Sequence, residues 1–404
     1  IESPVLAARR RPADALSAFS WNPFLDSLPV RKAPHMYGWD IMPRLVSAGI
    51  WRDVFVVPHK KDKIVSAYYF TNKVENDEAE ISLKWQIQTA CFDLSHYSLK
   101  LTGNCGQSHF CQTIKPDCIA GQVFIKIDNP SLWWPKGYGK ANLYEVTLEL
   151  WRDNQCVDCR TEKIGIREIQ LHHTPITSKE KPGHFYFTCN GYNIMVKGSN
   201  HVPIDALHSR DRDNLLHTME LYDDLGCNMI RCWGGNVYED HDFYDFCDVH
   251  GIMVWQDFAF ACALYPQTDE FFRRVEKEAK AVICKLRNHP SLVLWAGDNE
   301  VDMFFTIYHL DPAANRLTRE ILPRMVTRCD PYRPFLPSSP YLSPELMSRN
   351  DMSLLPEQHL WGKRDFHKKP FYSQTPAHFA SEIGWHGCPN ISSMRKFLSD
   401  DKLW

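Results

Sequence analysis

The pattern of apolar and polar residues changes character near residue 170 of the chain. Between Lys63 and Ile169, short runs alternate apolar and polar residues, and turn residues separate these runs. Alternation with a period of two predicts strands that bury one face, so we expect an antiparallel, immunoglobulin-like β-sandwich here. The clearest runs read IVSAYYFTNKV, EISLKWQIQTA, QVFIKI and LYEVTLELWRD.

From about Phe185 onward, short apolar runs alternate with longer stretches in which apolar residues follow helical spacing. The predicted strands are Asn193–Lys197, Asn228–Trp233, Gly251–Gln256, Ser291–Ala296, Phe335–Ser338, Gln358–Trp361 and His378–Glu382. The predicted helices are Arg210–Leu225, Tyr238–His250, Asp269–Arg287, Leu317–Arg328 and Ile391–Leu398. Repeated units of this kind predict a parallel sheet with helices outside. No G-x-G-x-x-G follows the first strand, which favours a (β/α)₈ TIM barrel over a nucleotide-binding fold.

The first 60 residues fit neither pattern. They begin irregularly and are rich in Pro and Arg, and a strand-like run, Ile50–Val57, lies near their end. Trp39 and Asp40 are expected in a loop before that run. The predicted organisation is therefore an N-terminal piece at 1–60, a sandwich at 61–170 and a barrel at 171–404.

Polar residues stand where the predicted barrel strands end. They are Asn200 after the first strand, Arg231 in the second, Asp257 after the third, Glu300 after the fourth and Glu382 at the seventh. One polar residue at a strand end is ordinary, because it can cap the following helix. Five around one rim predict a functional site, since the carboxyl ends of barrel strands form the usual active-site face.

Two carboxylates on this rim suggest a definite chemistry. Strands four and seven lie across a barrel from each other, so Glu300 and Glu382 can approach near its axis. A carboxyl pair about 5–5.5 Å apart suits retaining glycoside hydrolysis, and a gap of about 6.5–9.5 Å suits inversion through a water molecule. Retention needs one ionised and one protonated carboxyl. Arg231 would keep its neighbour ionised, and an apolar wall such as Trp233 would favour the protonated form of the other.

Composition narrows the function classes. The net charge of −3 provides no basic surface for nucleic acid or anionic membrane. No apolar run reaches 18 residues, and the start of the sequence, IESPVLAARRRPADAL, lacks the apolar core expected of a signal peptide. The 14 Cys include a single C-x-x-C pair, Cys156 and Cys159, so free thiols in the cytoplasm are expected. No metal-binding or cofactor motif is present in the sequence. The 13 Trp are compatible with stacking on sugar faces.

Several long motifs resemble glycoside hydrolase family 2, and within it the β-mannosidases. They are GSNHVPIDAL (198–207), MIRCWGGNVYE (229–239), FYDFCDVHGIMVWQDFAFACALYP (243–266), NHPSLVLWAGDNEVD (288–302) and FASEIGWHG (379–387). The resemblance extends from about Arg31 to Pro389. It implies that the 1–60 piece is the tail of a jelly-roll, sugar-binding-like domain. Because about 20 residues follow Glu382, we expect a barrel truncated after its seventh strand.

The resemblance also implies residue roles. Glu300 would be the general acid/base and Glu382 the nucleophile of a retaining exo-β-mannosidase, with no metal or cofactor. The implied substrate-binding residues are Trp39, Asp40, Asn200, Arg231, Trp233, Asn299 and Trp361. The substrate would be a glycoside or oligosaccharide with a terminal β-mannose. Alternatives are another family 2 glycosidase, such as an endo-β-mannosidase or an exo-β-glucosaminidase, and a carbohydrate-binding fragment without turnover.

Two positions depart from the family pattern. His201 stands where many relatives have Trp, which is expected to alter the wall of the sugar subsite. Leu360 replaces an aromatic residue in the QHLWGK segment, so the roles of His359 and Trp361 there are open.

Overall fold

The computed structural model describes residues 1–11, 25–363, 366, 368–384 and 389–403. Its first large unit is the predicted sandwich of antiparallel strands. These strands are β1 Lys63–Glu75, β2 Glu78–Gln88, β3 Tyr97–Cys105, β4 Ser108–Ile114, β5 Ala120–Asp128, β6 Tyr144–Arg152 and β7 Gln155–Ile164. They form two sheets, ordered β1-β2-β5 and β4-β3-β6-β7. Alternate residues such as Leu83, Leu99 and Leu148 are fully buried and share one core, as the period-two pattern predicted.

A small antiparallel sheet follows the sandwich and corrects one prediction. It contains β8 Ile169–His173, β9 Phe185–Cys189 and β10 Tyr192–Ile194. Asn190 and Gly191 both have positive φ, 49° and 81°, which makes a tight hairpin turn between β9 and β10. The prediction of a first barrel strand at Asn193–Lys197 was therefore wrong, because its first two residues complete this hairpin.

The barrel contributes parallel strands, as expected. They are β11 Gly198–His201, β12 Met229–Cys232, β13 Met253–Asp257, β14 Leu292–Ala296, β15 Phe335–Leu336, β16 Glu357–Leu360 and β17 Phe379–Ile383. The first five pair in chain order, and β16 pairs with β17. Inward residues such as Met253, Trp255 and Leu294 share a core with Phe185 and Phe187, so the small sheet packs against the barrel interior.

Helices precede, separate and follow the strands of the protein. They are α1 Pro4–Arg9, α2 Asp211–Asp224, α3 His241–His250, α4 Asp269–Leu286, α5 Val301–Ile307, α6 Leu322–Cys329, α7 Pro344–Arg349 and α8 Ile391–Met394. The helix expected at Ile391–Leu398 is shorter than predicted, and the one expected from Leu317 begins with a π-helical turn. The last residues of the FASEIGWHG motif, 385–387, lie outside the described part of the chain. None of the described helices is both long and apolar enough to cross a membrane.

Residues 25–47, which we call the N-terminal arm, lie along the barrel. Arg31 donates twice to the Glu278 carboxylate, at 2.8 Å each, and once to the Ala259 carbonyl at 2.9 Å. The strand expected at Ile50–Val57 was wrong, because this run pairs with none of the described strands. Its last four residues are strongly exposed, up to 99% at Val56, which shows that an apolar run without a ladder partner does not become a strand.

Asp330 joins the sandwich to the barrel. Its carboxylate accepts hydrogen bonds from Tyr68 of β1 at 2.6 Å and from the Trp295 indole of β14 at 2.9 Å. Asn288, just before β14, adds bonds to the backbone of Ala67 and Tyr69 at 3.1 Å each. The sandwich is thus fixed beneath the start of the fourth barrel strand.

Candidate active site

Arg231 is the centre of the polar cluster at the barrel rim. It is 4% exposed, and its guanidinium donates to Glu382 at 2.7 Å and to Asp257 at 2.8 Å. It also donates to the amide oxygens of Asn299 at 2.8 Å and Asn200 at 3.1 Å. The paired carboxylates raise the pKa of Arg231 although burial opposes its charge. One buried cation therefore connects the ends of strands β11 to β14 with β17.

Asp257 shares the Arg231 charge from the end of β13. It accepts further bonds from the Trp255 indole at 2.8 Å and the Gly234 backbone N–H at 3.0 Å. Burial raises the pKa of Asp257 to about 6, against the effect of Arg231 and these donors. The carboxylate orients the guanidinium and leaves its other edge for Glu382.

Glu300 follows β14 and has an unusual backbone. Its φ is +60°, and its N–H donates to the Ser339 carbonyl at 2.8 Å. Its carboxyl lies 2.7 Å from Nδ1 of His359 and accepts the Cys262 thiol at 3.2 Å. His359 also approaches Ser339 Oγ, at 3.1 Å through Nε2, so both ring nitrogens are held.

Glu382 is nearly buried, yet its charged form is stabilised. One oxygen accepts from Arg231, and the other accepts the Trp361 indole N–H at 2.8 Å and lies 3.5 Å from His359 Nδ1. Burial would raise the pKa of Glu382, but His359, Arg231 and the Trp361 hydrogen bond together lower it. Conversely, burial would lower the pKa of His359, but Glu382 and Glu300 raise it.

The two carboxyl groups face each other across His359. One ligand atom from each of Glu300, His359 and Glu382 lies within 4.8 Å of the others. Such a trio could in principle hold a divalent metal ion. However, both Glu382 oxygens already accept hydrogen bonds, and the fixed charge of Arg231 disfavours a second cation beside them. The arrangement suits nucleophilic attack and proton transfer better than metal binding.

Aromatic residues form one wall beside the carboxyl pair. The Trp233 ring contacts Trp39 of the arm edge-on, with centroids 5.1 Å apart, and packs on Cys262. Trp39 and Met42 pair through backbone bonds of 2.9 and 3.3 Å, which closes a tight turn with Asp40 exposed in it. Sequence-distant residues thus meet at this wall, while contact of Asp40 with substrate stays a prediction.

Two models of one family match the chain. "Glycosyl hydrolases family 2" matches residues 49–167, and "Glycosyl hydrolases family 2, TIM barrel domain" matches residues 183–335, which include Arg231 and Glu300. "Beta-mannosidase B" of Aspergillus terreus is 33% identical over 393 residues, covering 92% of this chain and 45% of that protein. The "Beta-mannosidase" of Capra hircus is 29% identical over 404 residues, with the same coverages of 92% and 45%.

A solved structure is similar along almost the whole chain. The crystal structure of the β-D-mannosidase from Dictyoglomus thermophilum is 30% identical, with a TM-score of 0.84. The match covers 98% of this chain and 49% of that one. The chain belongs to glycosyl hydrolase family 2. It spans less than half the length of each of these three relatives.

Within this family 2 chain, most of the predicted site residues converge. Asn200, Arg231, Asn299, Glu382 and Trp361 form one hydrogen-bonded group, joined to Glu300 through His359. Both polar atoms of the Asn200 side-chain amide are engaged inside the protein. Its oxygen accepts from Arg231, and its nitrogen donates to the Ser381 carbonyl at 3.0 Å.

Two residues of the family 2 site were missed as site members, Cys262 and His359, whereas Asp257 was expected on the rim but was given no role there. His359 stands in a strand of the rim, so the strand-end argument could have found it. Cys262 lies in the loop after β13, where no local pattern marks it. Cys262 nevertheless contacts both Glu300 and the Asn299 amide, the latter at 3.3 Å.

The two departures from the family pattern do not open onto the pocket. His201 is fully buried and lies 3.0 Å from Glu239, so its ring does not itself form a surface of the site, and its effect on the subsite wall stays a prediction. Leu360 is 4% exposed and is one of the buried apolar side chains.

Proposed function

We propose that this chain carries the active site of a retaining exo-β-mannosidase that removes terminal, non-reducing β-D-mannose. The observation that carries the proposal is the Glu300–Glu382 pair, in which one oxygen of each carboxyl lies within 4.8 Å of one oxygen of the other. This proximity favours retention, which suits a carboxyl pair about 5–5.5 Å apart, over inversion, which suits a gap of about 6.5–9.5 Å. The similarity to β-mannosidases supports the choice of sugar.

In the first step, an ionised Glu382 oxygen attacks the anomeric carbon as the bond to the leaving oxygen breaks. Arg231 and Trp361 hold this carboxylate in place and favour its charged form. Glu300 gives its proton to the departing oxygen. The result is a mannosyl ester on Glu382 and a free alcohol or shortened glycan.

In the second step, Glu300 removes a proton from water, and the water oxygen attacks the anomeric carbon. The ester bond breaks, Glu382 regains its negative charge, and Glu300 regains its proton. Two inversions at one carbon give net retention. His359, which contacts both carboxyl groups, keeps them aligned throughout this exchange.

The sugar itself would lie against the aromatic wall. Trp233 would offer an apolar face to the ring, and Asp40, in the Trp39 turn, would accept bonds from mannose hydroxyls. Asn299 would reach the hydroxyl beside the reacting carbon. We also propose a cytoplasmic location, which the free thiols support, since every described cysteine is unpaired. Cell fractionation would test this location.

The test is hydrolysis of 4-nitrophenyl β-glycosides of mannose, glucose, galactose, glucosamine and glucuronic acid. Glu382→Gln and Glu300→Gln are compared with Glu162→Gln, which alters a part-buried carboxyl of the sandwich that accepts a hydrogen bond from Asn288. We expect β-mannoside turnover, loss of about 10²–10⁴-fold or more in the two site variants, and no loss in the control.

Further measurements separate the two roles. A Glu300→Gln enzyme should still cleave a 2,4-dinitrophenyl mannoside, whose leaving group needs no proton, whereas Glu382→Gln should not. NMR of the first product should show the β-anomer. Turnover of another glycoside alone would move the proposal to a different family 2 specificity. Binding of mannosides without turnover would indicate a carbohydrate-binding protein, and full activity without Glu382 would refute the nucleophile.

A further inference from the structure

A buried chain of three side chains joins the N-terminal arm to the barrel. His35 of the arm and His208, at the start of the turn leading into α2, are 1% and 4% exposed. Their Nε2 atoms lie 2.8 Å apart. His208 Nδ1 lies 2.6 Å from a carboxylate oxygen of Asp211, which is also buried.

When both imidazole rings are neutral, hydrogen-bonding chemistry assigns the protons of this three-residue series. The Asp211 carboxylate only accepts, so His208 donates to it from Nδ1 and leaves a lone pair on Nε2. His35 must then donate from Nε2, and its Nδ1 is left unprotonated with a free lone pair. That Nδ1 is buried and has no hydrogen-bond partner among the described residues, which suits an unprotonated nitrogen. Burial, His208 and Lys32 lower the pKa of His35 to about 3, in agreement with a neutral ring.

The position of His35 links this hydrogen-bonded series to the candidate active site. His35 precedes Trp39 by four residues, and its backbone N–H donates to the Gly235 carbonyl at 3.1 Å. Gly235 lies two residues after Trp233, whose ring contacts Trp39. The next side-chain anchor of the arm toward the N-terminus, the Arg31–Glu278 pair, is four residues further from the turn.

We propose that the Asp211–His208–His35 chain fixes the Trp39–Asp40 turn over the sugar pocket, and that His35 and His208 are positioning residues for substrate binding. The inference rests on the proposed function and deepens it. These residues touch neither Glu300 nor Glu382. Their loss therefore weakens binding of the terminal sugar and leaves the chemical step intact.

Another part of the protein offers a matched control for the Asp211–His208–His35 series. Asp248, His289 and His241 form a second Asp–His–His series, with His289 Nδ1 2.6 Å from Asp248 and His289 Nε2 2.9 Å from His241. In the described part of the chain, none of these three side chains hydrogen-bonds to residues 25–47. A His241→Leu protein breaks a similar contact without touching the arm.

The experiment measures kcat and KM on 4-nitrophenyl β-mannoside for His35→Leu, His35→Gln and His241→Leu. Loss of one buried hydrogen bond and the resulting mobility of the turn should raise KM of His35→Leu about tenfold at nearly constant kcat. Glutamine keeps an N–H donor near the same place and should restore most of the binding. His241→Leu should leave KM unchanged.

A double-variant cycle shows whether His35 acts through Trp39. Trp39→Ala should also raise KM, and adding His35→Leu to it should change KM less than about twofold, because the two losses are one effect. Full additivity, equal falls in kcat for both His35 variants, or an equal effect of His241→Leu would overturn the proposal.

A readout without catalysis separates this inference from the proposed function. Trypsin cleavage after Lys32 or Arg44, followed by mass spectrometry, should be faster in His35→Leu than in wild type, and His35→Gln should resemble wild type. If no glycoside is hydrolysed but the cleavage rates differ as expected, the proposed function fails and the fastening of the arm stands. Unchanged cleavage in a folded His35→Leu protein refutes the fastening itself.

Discussion

Trp361→Phe gives a sharp test of how the candidate nucleophile is kept ionised. The substitution keeps an aromatic ring and removes one N–H donor, which now lies 2.8 Å from the Glu382 carboxylate. That donor acts with His359 and Arg231 to lower the pKa of Glu382 against the effect of burial. Without it, the folded protein should hold the Glu382 proton to a higher pH.

The expected size follows from the charge of the acceptor. A hydrogen bond to a charged group contributes about 1.5–3 kcal/mol. The indole is 47% exposed, so water will replace part of that interaction, and the lower end applies. About 1.4 kcal/mol corresponds to one pKa unit. The acid limb of the kcat/KM profile should therefore move to higher pH by about one unit. Below that limb, kcat/KM should be about tenfold lower than in the wild type, and above it the difference should be much smaller.

The assay is kcat/KM for an aryl β-mannoside across pH 3–8. Trp151→Phe is the control, because its indole also donates to a carboxylate, Glu149 at 3.1 Å, but in the sandwich. The control profile should superimpose on that of the wild type. An acid limb that stays in place, or moves to lower pH, in a folded Trp361→Phe protein would refute the reasoning.

Three other outcomes follow from single contacts. Gly235→Ala should raise KM at least about tenfold with a small change in Tm, because a Cβ there would lie 1.9 Å from the Trp233 ring and displace it; an unchanged KM contradicts this. Asp330→Ala should lower the free energy of unfolding in urea by about 3–5 kcal/mol, because buried donors including Trp295 lose their acceptor; a loss below about 1 kcal/mol contradicts it. The unfolded chain protonates His35 near pH 6.5 and the folded protein only near pH 3, so the unfolded state binds more protons between them. The contribution of His35 to the free energy of unfolding should thus be fully present above pH 6.5 and be lost as the pH drops toward 3. His35→Gln should flatten this pH dependence.

The strand-end argument predicted the charged centre of the site well. Arg231, Glu300 and Glu382 each follow or end a short buried run, and parallel strands bring such positions to one rim whatever their separation in sequence. Their convergence on one rim could therefore be predicted without knowledge of the loops. The sandwich was predictable for a similar reason, because period-two alternation in a half-buried strand reports its inward face directly.

What the sequence did not reveal depends on contacts across loops. Cys262 reaches Glu300 from a loop with positive φ, 44°, and no local pattern specifies that path. His359 lies in β16, for which the sequence did predict a strand, but nothing in the residues EQHL specifies that the imidazole reaches Glu300. The first barrel strand was misplaced because β10 is short and its hairpin turn, at Asn190, precedes a similar apolar run.

The positive φ of Glu300 has an evolutionary consequence. A residue with a Cβ in the left-handed region is less stable by roughly 1–2 kcal/mol than one in the ordinary helical region, whereas glycine is not. Folding and chemistry therefore favour different amino acids at this position. A lineage released from selection for turnover would gain backbone stability by replacing Glu300 with glycine, at the cost of the contacts that its carboxyl makes with His359 and Cys262. On the proposed mechanism, only turnover favours a glutamate at residue 300.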